Sequence, residues 1–225
     1  MSRFFFVMFF LSTTVLSTTV AWADEPIEFE KPPTDPKAAK IVLIAGPASA
    51  KAGEHEYVAG CWVMAKLLAQ TPGVAPILVK DGWPTKKETL AGVRSIVFFR
   101  DGGDQHSLLK DDHLAEMQKL ADAGVGFTVL HQCIDLPKDA GQRAIPWWGG
   151  VWEKGYGKRA HWIEKFDEIP MSPVTRGVSP FKLNDGWLTK MRFLPEKKGL
   201  TVLLRTAPPK APPGLKESDE GIFSW

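Results

Sequence analysis

Val125-Gly126-Phe127-Thr128-Val129-Leu130-His131-Gln132-Cys133-Ile134-Asp135-Leu136-Pro137 is the stretch on which the fold of this chain turns. Its first six residues form an apolar, partly β-branched run without alternation, the pattern of a strand buried on both faces in the middle of a parallel sheet. The run breaks at His131, Gln132, Cys133 and Asp135. These polar groups stand where the chain leaves the C-terminal edge of the strand, and that edge is where open α/β sheets bind ligands.

Upstream, Lys40–Gly46 reads as another buried strand, followed by a small-residue loop to Gly53. His55-Glu56-Tyr57 opens a helix whose apolar positions Val58, Cys61, Trp62, Ala65 and Leu68 recur at helical spacing. The loop lacks both the G-x-G-x-x-G spacing and a Gly-Lys-Ser/Thr ending, so a nucleotide cradle is not indicated. Gly73–Lys80 predicts a second strand, Pro84–Leu90 a turn or short helix, and Arg94–Arg100 a third strand running into Asp101-Gly102-Gly103-Asp104-Gln105-His106. Asp111-Asp112 begins a helix with Leu114, Met117 and Ala121 on one face and Gly124 as its stop.

Strands alternating with helices give an α/β fold, a mostly parallel open sheet with helices on both faces. Ile41–Gly46, Ser95–Phe99 and Gly126–Leu130 are expected side by side in its interior. Three polar loops then open on one edge, where His55, His106 and His131 converge. Downstream, Pro146–Trp152 reads as an aromatic, glycine-rich turn, His161–Phe166 as a strand, and Met171–Val178 as a turn. Asn184-Asp185-Gly186-Trp187 follows, ahead of strand-like runs at Leu188–Leu194 and Leu200–Arg205.

The N-terminus has the anatomy of a secretory signal peptide: Arg3, an apolar stretch from Phe4, and Ala21-Trp22-Ala23 as a cleavage site. Residues 1–23 are the expected leader, and export to the periplasm or outside the cell the expected localisation. No later stretch is apolar enough to cross a bilayer. Asp24–Ala39, with Pro26, Pro32, Pro33 and Pro36, predicts an extended solvated linker, and 40–225 the folded domain. A chain of 225 residues, 44% hydrophobic and 24% charged, builds one sizeable core. Its formal charge of +2 is spread without a basic block, which disfavours nucleic acid and anionic lipid as partners.

Several segments, in order, carry a resemblance to the trehalose-utilisation (ThuA-like) family. They are Ile41–Tyr57, Ser95–Arg100, Gly124–His131, Trp148-Gly149-Gly150, Pro173-Val174-Thr175-Arg176-Gly177 and Asn184-Asp185. The resemblance implies a flavodoxin-like sheet of the class I glutamine amidotransferase type. Ser172 stands where the family usually has His, and Gly186 where it usually has an acidic residue. The family's further strand and helix with a Gly-His segment do not follow, so a member that is either shortened at its C-terminus or divergent is expected.

Cys133 lacks the small residues two positions either side that a nucleophile elbow needs, since His131 and Asp135 occupy them. A typical glutamine amidotransferase is therefore not expected; a Cys61–Cys133 disulfide is compatible with export. Histidines near neutral pKa suit proton transfer. In the reading favoured here His131 is the general acid/base, His55 and Glu56 orient substrate hydroxyls, and Asp104 polarises the attacking group or a water. His106, Trp148, Gly149 and Asp185 bind the ligand, a carbohydrate-like small molecule, with Trp148 as a stacking wall. His113 is expected to face solvent and His161 to pack in or beside a strand. No histidine has a short metal-ligand spacing, so no metal ligands are assigned, and the cofactor is unknown from the sequence. The competing reading is a non-catalytic binding module of an envelope or secreted system.

Overall fold

The computed structural model describes residues 26–208 and 221–225; the expected leader lies outside them. The chain runs β1 (Ala39–Ala45), α1 (Tyr57–Leu68), β2 (Val74–Val79), β3 (Val93–Phe99), α2 (His113–Asp122), β4 (Gly126–Leu130) and α3 (Lys138–Trp148). Short β5 (Gly150–Val151), the long β6 (Lys158–Phe166) and β7 (Phe181–Thr189), then β8 (Arg192–Phe193), β9 (Leu204–Thr206) and β10 (Gly221–Ser224) complete it. The first four strands make one parallel sheet in the order β2-β1-β3-β4.

Alternation along β1 decides how the layers form. Val42 and Ile44 point to one face and Leu43 and Ala45 to the other, all four essentially inaccessible. Leu43 and Ala45 meet Tyr57, Cys61 and Ala65 of α1. Val42 and Ile44 join Ile96, Phe98, Met117, Ala140 and Ala144 in the larger core under α2 and α3. Helices thus cover both faces, as the alternation of elements predicts. Full burial of each such aliphatic side chain stabilises by about 1.5–3 kcal/mol, so the sheet is anchored through β1 and β3.

Strand β4 corrects the expectation in one respect. It pairs with β3 in register from Ser95–Gly126 to Phe99–Leu130, but it is the edge of the described sheet and not its middle. Phe127 and Val129 pack into the larger core while Gly126 and Thr128 are exposed. An unbroken apolar run does not distinguish an edge strand with one covered face from a strand buried on both.

The segment read as an aromatic turn is in large part α3. Ala140, Ala144 and Trp148, four residues apart, form its buried stripe, and Gly149 ends it in the left-handed conformation at φ 79°. Pro137 at its start and Pro146 within its last turn masked the pattern, although a proline that late removes few helical hydrogen bonds. The Asn184–Trp187 stretch lies inside β7, which pairs antiparallel with β6 along its whole length. Trp162, Phe166 and Trp187 make a separate small core there.

The stretch expected to be a solvated linker is pinned at Glu30. This residue is only 8% exposed, its N–H donates to the Leu78 carbonyl at 2.7 Å, and its carboxylate accepts from the Thr85 and Lys86 N–H groups and from the Thr85 and Thr89 hydroxyls at 2.7–3.0 Å. Burial alone would raise the Glu30 pKa, but these donors hold it below the usual glutamate range. Cys61 and Cys133 are both free and buried, one in each of the two large cores, so of the two states open to them it is the free thiols that the fold holds.

Candidate functional site

Three loops leave the C-terminal edge of the sheet side by side, after β1, β3 and β4. With the strand order 2-1-3-4, the direction in which strands are added reverses between β1 and β3, which makes the C-terminal edge there the natural crevice. Two glycines bring the loops close. A Cβ on Gly46 would stand 2.5 Å from the Arg100 Cβ, and one on Gly102 would stand 2.3 Å from the Asp135 carbonyl oxygen. Neither position accepts a side chain without moving backbone, so the loop after β3 lies directly against the turn after β4.

Into this crevice project His55, Asp101 and His131. Asp101 is the centre: its Oδ1 is 3.2 Å from His131 Nε2 and its Oδ2 is 3.4 Å from His55 Nδ1. The two imidazoles meet edge to face with centroids 4.9 Å apart. Ser49 Oγ lies 2.9 Å from His55 Nδ1 and donates to the Tyr57 hydroxyl at 3.3 Å. His131 has a backbone φ of 61°, in the left-handed region that few non-glycine residues adopt and His more readily than most, at the junction of β4 and the 3₁₀ turn 131–134. Such strain is held by the surrounding structure and clusters at functional sites.

The electrostatics follow from this geometry. Burial would raise the Asp101 pKa, but hydrogen bonds from Ser49 and Tyr57 and the charges of His55 and His131 bring it below the ordinary aspartate range. Burial lowers the His131 pKa, against the opposing pull of Asp101. Asp185, on β7, adds a further negative charge within reach of His131. Burial, then the neighbouring Asp101 carboxylate, push the Tyr57 hydroxyl up, so it stays a protonated donor. Arg100 braces the loop from behind: buried, it donates from Nε to the Asp101 carbonyl at 2.8 Å, from Nη2 to the Gln105 carbonyl at 3.2 Å, and from Nη1 to Ser107 Oγ.

Of the residues expected to act, His55 and His131 are together, and Asp185 faces them electrostatically. The others do different work. His106 is fully buried; its Nδ1 accepts the Leu108 N–H at 3.0 Å and its Nε2 is 3.4 Å from Cys133 Sγ, so it caps a 3₁₀ turn inside the core. Burial pushes its pKa down to about 3 and the Cys133 thiol up to about 12, leaving a neutral pair. Glu56 turns back onto its own loop and accepts the Gly53 N–H at 2.6 Å. Asp104 is exposed and bears on Asp135 instead of on the histidines. Trp148 is buried against Phe98 and His106, so it is no stacking wall, and Gly149 is hemmed in by Leu200 and Trp225.

Outside the crevice, His113 is stacked on Trp83 with centroids 4.1 Å apart, where solvent exposure was expected. His161 lies in β6 as anticipated. The residues that the sequence reading passed over are Asp101, Ser49 and Tyr57. Asp101 was within its reach: it is the first carboxylate after β3, as His131 is the first polar group after β4. Spacing in a loop does not distinguish Asp101 from Asp104, because it does not say which carboxylate turns inward. Likewise, the absence of a metal spacing concealed a spatial cluster: ligand atoms of His55, Asp101 and His131 lie within 4.8 Å of one another.

No family model matches the sequence, and no curated protein does. Among solved structures, the chain is similar to a ThuA-like protein from Bacteroides uniformis ATCC 8492, with a TM-score of 0.51 and 15% identity over 89% of this chain and 78% of the other. That likeness establishes a shared fold, the one the sequence resemblance implied.

Proposed function

We propose that the protein is an exported ThuA-like domain that binds a carbohydrate-derived small molecule in the crevice after β1, β3 and β4 and exchanges protons with it. The observation that carries this reading is the convergence of His55 and His131 on Asp101, with His131 held in a strained backbone. His131 is placed to meet a ligand hydroxyl, Asp101 orients its ring, exposed Ser49 supplies a hydroxyl at the rim, and buried Tyr57 braces it from below. A polyhydroxylated ligand suits such a site, because its hydroxyls can donate to the Asp101 carboxylate and both donate to and accept from imidazole and hydroxyl groups. Export is supported by the leader anatomy of residues 1–23, and N-terminal sequencing of envelope-recovered protein should find Asp24 first.

The test is a screen of purified protein against unmodified and oxidised disaccharides, with binding and turnover followed separately. His131→Ala should lower turnover by about 10²–10⁴-fold, the usual worth of a positioned proton-transfer group. Binding without turnover would instead favour the non-catalytic module. Loss of neither binding nor turnover in His131→Ala and Asp101→Asn would remove the crevice from consideration.

A further inference from the structure

We propose that His55, Asp101 and His131 hold one divalent first-row transition-metal ion, of the zinc or iron(II) class. This deepens the reading of the crevice as the working site and changes which group carries the proton.

The spacing is the first argument. Asp101 stands 3.2 Å from His131 Nε2 and 3.4 Å from His55 Nδ1. Charge-assisted hydrogen bonds between such groups are shorter, about 2.7–2.9 Å. Donor atoms around a tetrahedral centre with bonds of about 2.0–2.2 Å stand roughly 3.3–3.5 Å apart. Both contacts are longer than a charge-assisted hydrogen bond, and they run to different oxygens of the one carboxylate, so an ion among the three residues would take a nitrogen from each ring and one or both Asp101 oxygens. One ligand atom from each residue lies within 4.8 Å of the other two, a spacing within which a single ion can be held.

The second argument is the donor set. Two imidazoles and one carboxylate suit zinc or iron(II) and not the all-oxygen shells of calcium or magnesium. Three protein ligands leave a position open, and the partly exposed crevice lets a water or substrate oxygen fill it. The third argument is the outer shell. Ser49 and Tyr57 hydrogen-bond to the Asp101 carboxylate, as partners that aim a metal ligand do. The three ligands also come from three separate loops held by the close approaches at Gly46 and Gly102. With the ion in place, a water bound to it would exchange the proton and His131 would serve as a ligand.

The experiment strips the full chain with a chelator, returns zinc or cobalt(II) alone, and reads stoichiometry, affinity and the cobalt visible spectrum. One equivalent per chain is expected. Ser49→Ala should weaken binding by about 10- to 100-fold, and Asp101→Asn or His131→Ala by more, with circular dichroism confirming that each variant is folded. The exposed His161→Ala should bind like the parent. Equal binding by the parent and an Asp101→Asn/His131→Ala double variant, or less than stoichiometric uptake, overturns the inference. If the chain takes up no metal and still processes disaccharides, the metal assignment fails and the functional reading stands. If one equivalent binds and no disaccharide does, the metal assignment stands and the functional reading fails.

Discussion

The His131 ring reaches Asp101 across the crevice, Nε2 to Oδ1 at 3.2 Å, from a backbone in the left-handed region at φ 61°. The ring is partly exposed, so its removal should leave the fold intact. The backbone offers a sharper check. His131→Gly should be more stable than His131→Ala by roughly 1 kcal/mol, because glycine enters the left-handed region without the Cβ penalty. Equal urea midpoints and slopes for the two variants would mean that the turn relaxes and stores no strain.

Trp148 should behave in the opposite way. Buried against Phe98 and His106, with its carbonyl accepting the Trp225 indole N–H at 2.7 Å, it belongs to the core. Trp148→Ala should cost about 3–5 kcal/mol. Ligand affinity per folded molecule, measured after correcting for the unfolded fraction, should not change; a selective loss of affinity would return Trp148 to the binding surface.

His106 makes the fold sensitive to mild acid. Burial holds its folded pKa near 3, while in the unfolded chain it titrates near 6.5. Between those values the unfolded state binds the extra proton, so stability falls as pH falls, by up to about 1.4 kcal/mol per pH unit. His106→Asn keeps an acceptor for the Leu108 N–H and removes the titration. Denaturant melts from pH 7 to 5 should show a shallower decline in the variant, and parallel slopes would assign acid sensitivity elsewhere.

Glu30 fastens the N-terminal segment to the loop after β2. Glu30→Ala leaves the Thr85, Lys86 and Thr89 donors without their acceptor and should destabilise by about 2 kcal/mol. Its folded pKa is depressed, so this contribution is present above pH 4.5 and is lost as pH drops further. Protease cleavage within residues 26–36 offers a second readout, and should quicken in the variant.

Much of the parallel sheet was legible because strands β1 to β3 and helices α1 and α2 each carry their own periodicity and stop signals. Helix α3 was not, because two prolines and a glycine outweigh a three-residue stripe of Ala140, Ala144 and Trp148 when only local pattern is read. The candidate site was half legible. A strand end marks where His131 emerges, but only packing shows that His106, five residues after Asp101, turns into the core. Whether a polar side chain meets solvent or a buried backbone N–H is settled by its tertiary neighbours, as Glu56 and Glu30 show in opposite directions.

The two thiols sit on opposite sides of one sheet, Cys61 beneath α1 and Cys133 in the core under α2 and α3. No arrangement of the folded domain brings them together. A bond between them can form only before the sheet does, and would then bar the chain from closing around it. In an oxidising compartment the protein would run a race between folding and cross-linking. Refolding under an oxidant should divide the molecules into a native reduced pool and a covalently trapped one, in proportions that follow oxidant concentration.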